Sequence, residues 1–390
     1  MSFENEKVTP PWVLKAKWLP FAKKAKMTVS EKALTWVRPA LAPFAALYGV
    51  GVFLRLSAVR RRPKASLPGF VVSIGNVTVG GTGKTPAACL IAEWGLREGY
   101  RVAVLSRGYR GRYREEVLVV SDGYEVKAGP LEAGDEPYLM AKRLPGVPVL
   151  VSKKRRLAGA RARARFGTNF FILDDGFQHL NLARDLDLVL IDATDPFGNG
   201  HLLPWGPLRE PVRQLERADA FIITRLQEVG SRSDLSLRLH RRFPSKAVFY
   251  GRHTPAELVF PYGGETQGPD FLKGKRAIAF AGIGRPHAFR DTLLGLGAEL
   301  LLFREFRDHH RFRRQEIQAL IRERERLGAD YLLTTEKDWV RVEGLGLHDP
   351  QLAYLRINFS LLTGIDTFFG MIKDRIEQAA RLSDQRGALS

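Results

Sequence analysis

Thr78-Val79-Gly80-Gly81-Thr82-Gly83-Lys84-Thr85 lies between an apolar run, Phe70-Val71-Val72-Ser73-Ile74, and a helical pattern from Ala87 to Glu98 that stops at Gly99. Strand, glycine-rich turn and helix in that order make a phosphate cradle. The glycines let backbone N–H groups converge on phosphate oxygens, and the helix N-terminus adds the positive end of its dipole. In such a P-loop the lysine, Lys84, reaches the β- and γ-phosphates, and the hydroxyl of Thr85 holds Mg²⁺. Pro86 fits the first helical turn, where its missing N–H has no partner to lose. Thr78 stands where the pattern asks for Gly, so the flanking strand and helix carry the reading. A nucleotide site is predicted over Thr78, Val79, Gly80, Gly81, Thr82, Gly83, Lys84 and Thr85.

Outward from this loop, apolar runs alternate with helical patterns at Phe70–Ile74, Val102–Leu105, Val147–Val151, Phe170–Leu173, Leu188–Ile191 and Phe221–Thr224. That alternation predicts an α/β fold with a mostly parallel sheet, whose ligands bind beyond the strand C-termini. Phe170-Phe171-Ile172-Leu173-Asp174-Asp175-Gly176-Phe177-Gln178-His179 runs four apolar residues into two aspartates, as a Mg²⁺-supporting Walker B strand does. A core strand ending in an Asp turn has the same look, and the upstream P-loop favours the Walker reading. Ala133-Gly134-Asp135-Glu136-Pro137 places two carboxylates on a turn before a helix expected from Tyr138, a pattern that N-capping by Asp135 also satisfies. In Ser106-Arg107-Gly108-Tyr109, Arg107 and Tyr109 either face substrate or form a plain turn. In Leu203-Pro204-Trp205-Gly206-Pro207-Leu208-Arg209-Glu210-Pro211, Arg209 suits developing phosphoryl charge and Glu210 a metal, though a surface ion pair would use the same residues.

Farther along, Ala277–Gly284 reads as strand and turn, Pro286–Leu296 as helix, and Glu299–Phe303 and Tyr331–Thr334 as strands. Phe306-Arg307-Asp308-His309-His310-Arg311-Phe312 gathers ionisable groups on a loop. Adjacent histidines point apart on a strand, which favours one proton-handling His over a metal pair. The expected organisation is a basic extension and amphipathic membrane-associating helix over 1–66, a P-loop kinase domain over 67–227, a connector over 228–268 and a smaller α/β domain over 269–390.

The formal net charge is +19, and residues 1–66 hold 13 Lys and Arg against 3 Glu. Such a surplus calls for an anionic partner. No zinc-finger spacing or RNP-type aromatic pattern is present, which argues against nucleic acid. Pro39–Leu54 is uncharged and mostly apolar, bracketed by Arg38 and Arg55 and followed by Arg60, Arg61, Arg62 and Lys64. The run is shorter than the roughly 20 residues of a spanning helix and basic on both flanks, which predicts a helix seated in the cytoplasmic leaflet. The single Cys89 excludes a disulfide framework and a cysteine metal site and reads as core.

Taken together these blocks resemble the tetraacyldisaccharide 4'-kinase family. The matching pieces are Val79–Pro86, Ser106–Tyr109, Gly134-Asp135-Glu136-Pro137, Asp174–His179, Leu208-Arg209-Glu210-Pro211, Phe306 with Asp308-His309-His310, and Thr334-Thr335-Glu336-Lys337-Asp338, in family order over roughly residues 38–340. The resemblance accommodates Thr78, since the family carries a small hydroxyl residue there. It implies ATP-dependent phosphorylation of the 4'-hydroxyl of a membrane-bound tetraacyldisaccharide 1-phosphate, at the cytoplasmic face of a bacterial inner membrane. Carried over, Lys84 and Thr85 bind ATP and Mg²⁺. Asp135 takes the sugar proton with His309 as partner, and Asp174, Asp175, Gln178, Arg209 and Glu210 support metal and phosphate. The rival expectation is a membrane-associated P-loop switch ATPase.

Overall fold

The computed structural model describes residues 38–225 and 234–387; the basic stretch 1–37 expected as an extension lies outside the described residues. The first group of strands is β1 (Phe70–Gly75), β2 (Val102–Ser106), β3 (Leu118–Ser121), β4 (Val149–Val151), β5 (Phe170–Asp174), β6 (Leu186–Asp192) and β7 (Ala220–Thr224). β1, β2, β5, β6 and β7 are buried at every position. Unbroken apolar runs without alternation are what strands covered on both faces require. The spatial order is β3-β4-β2-β5-β1-β6-β7, all parallel except the β3 edge. The helices of this part of the chain are α1 (Ala42–Arg60), which belongs to a separate compact unit, and α2 (Lys84–Arg97), α3 (Pro130–Ala133), α4 (Asp135–Arg143) and α5 (Arg155–Phe166).

Beyond α6 (Asp234–Arg242), the stretch expected as a connector contributes β8 (Ala247–Phe260), the longest strand described. It is followed by β9 (Glu265–Gln267), β10 (Arg276–Ala281), α7 (Pro286–Gly295), β11 (Glu299–Glu305), α8 (Arg314–Leu327), β12 (Tyr331–Thr335), α9 (Glu336–Val342), β13 (Leu352–Leu361) and α10 (Ile365–Gly387). The sheet does not stop at the connector. β8 runs parallel to β7 over Ala247–Gly251 and antiparallel to β13 over Gly251–Val259, and the order continues β13-β12-β10-β11.

That joint positions the site. β10, β12 and β13 are parallel to one another and opposed to β8, which itself follows β7. The C-terminal ends of the second group therefore point back toward the C-terminal ends of the first. Loops that follow β11 and β12 face loops that follow β1, β2 and β5.

The compact units do not follow the expected chain-order boundaries. The larger one holds Val59–Asn76, Gly80–Pro196 and the chain from Leu215 onward, so both strand groups belong to it. The last helix gives one reason. α10 returns to the first group's core, where Phe368, Phe369 and Ile372 pack with Trp94 and Phe249, and Phe369 stacks on Trp94 at 4.8 Å. Among the described residues the smaller unit holds 38–58, Val77–Val79 and Phe197–Gln214. In it α1 buries Ala45 and Val52 and exposes Phe44, Leu47, Val50, Phe53 and Leu54. The expected amphipathic helix is thus apolar on its exposed side; a polar outer face is missing because its charges sit only at Arg55 and Arg60. By length and composition alone α1 is long and apolar enough to cross a membrane.

Candidate active site

The P-loop forms as the sequence indicates. α2 begins at Lys84, slightly earlier than the apolar pattern, with Gly83 at its N-cap and no acidic residue in its first turn. Gly83 adopts φ 87°, and a Cβ there would meet Nε2 of His253 at 1.9 Å. Only glycine fits that position. Lys84 Nζ donates to Asn76 Oδ1 at 3.2 Å and pairs with Asp175 Oδ1 at 3.4 Å. Gln178 Nε2 donates to the Asn76 carbonyl at 2.8 Å, so the Walker strand's turn is tied to the residue that follows β1. Cys89 is buried in α2, and burial pushes its thiol up to about 12, as the core reading requires.

Asp174 ends β5 almost fully buried. Its Oδ2 accepts from Ser106 Oγ at 3.3 Å, while its Oδ1 is buried with no hydrogen-bond partner. Burial, then the Glu136 and Asp175 charges, raise this carboxyl to about 7 against the opposing pull of Lys84 and Arg155. Thr82 Oγ1 is a second buried oxygen without a partner. Among the described residues no three His, Cys, Asp or Glu side chains form a cage for an ion. A Mg²⁺ site needs no such cage, because one or two carboxylates with substrate phosphates suffice. A buried carboxylate oxygen of Asp174 with no partner fits that ion.

Asp135 departs from the helix-cap alternative. α4 starts at Asp135 itself, three residues before the expected point, because Gly134 takes φ 89° and a Cβ there would strike the Tyr109 carbonyl at 2.6 Å. No side chain caps the helix. The Asp135 carboxylate instead accepts from Nδ1 of His309 at 3.0 Å, across a sequence separation of 174 residues. Burial pushes the Asp135 carboxyl up, but the His309 hydrogen bond and the Arg341, His309 and Lys337 charges outweigh it and hold it below its ordinary value. His310 turns the other way, to Glu316 at 3.1 Å, so the two histidines do point apart. Lys337 Nζ donates to Glu136 at 3.0 Å, Arg143 meets Glu336 at 3.3 Å and Tyr138 donates to Glu343 at 2.9 Å. These pairs fasten α4 to α9.

Four non-glycine residues in the described chain have left-handed backbone: Arg110, Asp175, Arg225 and His309. All four belong to this region. Asp175 pairs with Lys84, and Arg110 Nη1 donates to the His309 carbonyl at 3.4 Å. Arg225 Nη2 donates to the P-loop carbonyl of Gly81 at 3.0 Å while its Nη1 pairs with Asp192 at 2.8 Å. Backbone held in sparsely populated regions costs about 1–3 kcal/mol per residue and concentrates at functional sites. Tyr109, read as either facing substrate or forming a plain turn, is exposed and sets its ring edge-on to His309 at 5.8 Å between centroids.

The remaining sequence candidates lie in the smaller unit. Val79 N donates to the Pro207 carbonyl and Arg209 N to the Val77 carbonyl, both at 2.8 Å, so the proline-rich loop flanks the entry to the P-loop. Tyr48 of α1 donates to the Arg209 carbonyl at 3.0 Å, and Glu210 is fully buried with its carboxylate engaged by Arg55 of α1. His253, Arg225, Asn76 and Arg341 were not expected from the sequence. Arg225, directly after a buried strand, offered a faint signal; His253 and Arg341 offered none, since Gly83 and Asp135, which they meet, are distant in the chain.

Residues 37–377 match the family described as Tetraacyldisaccharide-1-P 4'-kinase. A tetraacyldisaccharide 4'-kinase from Anaeromyxobacter sp. (strain Fw109-5) is 46% identical over 311 residues, covering 80% of this chain and 83% of the relative. One from Syntrophus aciditrophicus (strain SB) is 44% identical over 315 residues, covering 77% and 83%. The crystal structure of the "apo" form of LpxK from Aquifex aeolicus in complex with ATP superposes with a TM-score of 0.70 at 32% identity, covering 87% of this chain and 99% of that one.

Proposed function

The chain belongs to the tetraacyldisaccharide-1-P 4'-kinase family, and we propose on that footing that it transfers the γ-phosphate of ATP to the 4'-hydroxyl of a tetraacyldisaccharide 1-phosphate. The observation that carries the reading is the 3.0 Å hydrogen bond between Asp135 and His309, formed on loops that face the P-loop's strand ends. Phosphoryl transfer asks for positioning and charge neutralisation more than for covalent chemistry. Lys84 and the backbone amides of Gly80–Lys84 hold the triphosphate. Asp135 accepts the proton of the sugar hydroxyl as its oxygen attacks phosphorus and the bond to the β-phosphate breaks. An isolated Asp is a weak base, with a reference pKa of about 3.9. His309 donating to Asp135 orients the carboxylate toward the hydroxyl it serves. Mg²⁺ held by Thr85, Asp174 and Asp175 would supply charge neutralisation at the phosphates. Glu210 serves instead to hold α1 through Arg55, and Arg209 is kept as the proposed cation for developing phosphoryl charge.

The exposed apolar side of α1 and the basic residues Arg60, Arg61, Arg62 and Lys64 after it support seating at an anionic leaflet, where a lipid substrate resides. On this reading the protein is peripheral or monotopic at the cytoplasmic face of the inner membrane. Replacing Phe44, Leu47, Phe53 and Leu54 together by Ser should reduce co-flotation with phosphatidylglycerol vesicles. Unchanged flotation would remove the anchor from the proposal.

Incubation of the full chain with ATP labelled in its γ-phosphate and disaccharide 1-phosphate lipid in detergent micelles tests the central claim. Label on the lipid is the expected result. Label released only as inorganic phosphate would favour a switch ATPase.

A further inference from the structure

Arg341 sits on α9 with its side chain only 6% exposed, and its guanidinium reaches four groups from separate parts of the chain. Nη1 donates to the His310 carbonyl at 2.9 Å, and both Nη1 and Nη2 donate to the Gly282 carbonyl at 3.3 Å. Nη2 pairs with Asp338 Oδ1 at 2.6 Å. Nε lies 3.4 Å from Asp135 Oδ2, the oxygen that accepts from His309, and has no hydrogen-bond partner of its own. Gly282 is itself the anchor of the histidine loop: His309 N donates to its carbonyl at 2.9 Å, and its own N–H donates to Asp338 at 3.1 Å. The guanidinium plane also lies 5.7 Å from the centre of the Phe312 ring, which closes that side to water.

One planar cation therefore touches the carboxylate on α4, the carbonyl next to His309, and the glycine from which the His309 loop hangs. Because a guanidinium is rigid, these contacts fix their spacing together. The arrangement also sets charge. Asp135 is faced by His309 from its loop, by Arg341 and Lys337 from α9, and by Glu136 from its own helix. Lys337 is matched to Glu136 at 3.0 Å, and Asp338 is matched to Arg341 itself.

We propose that Arg341 is the positioning residue of the Asp135–His309 pair, holding Asp135 as an ionised acceptor and pinning the His309 loop at hydrogen-bonding distance. This rests on the kinase reading above. It assigns Arg341 no contact with substrate.

The test compares Arg341→Met, Arg341→Lys and the unaltered chain in the micelle assay, with kcat and the KM for ATP measured across pH. Removing the cation lets the Asp135 pKa rise, so the acid limb of kcat moves to higher pH. In Arg341→Met we expect kcat to fall by about tenfold to a hundredfold, the acid limb to rise by about one pH unit, and the KM for ATP to stay within about twofold. Arg341→Lys keeps the charge without the fork and should leave the acid limb in place while recovering only part of kcat. A slower Arg341→Met enzyme with an unmoved acid limb overturns the proposal, as does an acid limb displaced equally in both variants. Should Arg341→Met not fold, an acid limb shifted in a folded Arg341→Lys overturns it alone, and an unshifted one with reduced kcat supports it. Titration of the Asp135 carboxyl by carbon-13 NMR reads the same shift without turnover. An unaltered chain that labels no lipid while Asp135 still titrates higher in Arg341→Met would defeat the kinase reading and leave the electrostatic role standing.

Discussion

Asp174 and Asp135 are two aspartates of the larger unit, and the protein drives their carboxyls in opposite directions. Asp174 closes a fully buried strand, faces two other carboxylates, and is raised to about 7 by burial first and those charges second. Asp135 opens a helix, and although burial raises it, a histidine and two cations bring it below its ordinary value. The first has an oxygen with no partner, suited to a cation that arrives with substrate. The second has its acceptor oxygen already engaged, suited to handling a proton. Residue type does not distinguish the two roles. The sign of the surrounding charge does.

The largest expected effect separates chemistry from binding. Asp135→Asn should lower kcat for lipid phosphorylation by about a thousandfold, with ATP affinity unchanged within about twofold. Lost nucleotide binding in a folded Asp135→Asn protein would instead place Asp135 with the P-loop set and dissolve the contrast.

A second expectation uses stability. A carboxyl raised in the folded state binds its proton more tightly there than in the unfolded chain, whose reference is about 3.9. Stability from Asp174 therefore falls as pH climbs from that reference through about 7. Asp174→Asn without Mg²⁺ should melt several degrees above the unaltered protein at pH 8, with the gap narrowing toward pH 4. Asp135 has the reverse sign. Its lowered value adds stability that is present above the unfolded pKa and is lost as pH falls through the folded one. Asp135→Asn should accordingly melt lower at neutral pH. Matching shifts of the same sign in calorimetry would contradict the two environments described.

The smallest effect concerns coupling. Glu136 is the strongest of the charges that raise Asp174. Glu136→Gln should move the Asp174 titration midpoint downward by less than one unit, read from the pH above which the Asp174→Asn melting advantage stops growing in paired single and double variants. An upward movement would contradict the role given to the Glu136 charge in raising Asp174.

Much of this site was legible in the chain. Thr78–Thr85 and Phe170–His179 announce themselves because a phosphate cradle and a metal-bearing strand are local constructions: strand, turn and helix are contiguous, and glycine at Gly83 is needed for a local φ. The strands likewise show, because a strand buried on both faces must be apolar throughout. The helix start at Asp135 was placed late, since the signal is Gly134 pressed against Tyr109 from another loop. Arg341 was not singled out at all. A basic residue three positions after Asp338 on a short helix looks like any intrahelical pair, and nothing nearby in sequence announces that Asp135 lies beside it.

What the chain determined alone, then, was the nucleotide loop, the run of buried strands, the apolar α1 and the family, because each depends on neighbours within a few residues or on a linear order of blocks. The tertiary structure decided that β8 passes through both strand groups and reverses the second against the first. It also decided that His309 and Arg341 meet Asp135, and that Asp174 and Asp135 titrate apart. Those outcomes depend on which charges share a low-dielectric space, and packing brings such charges together across distances in the chain that no local pattern records.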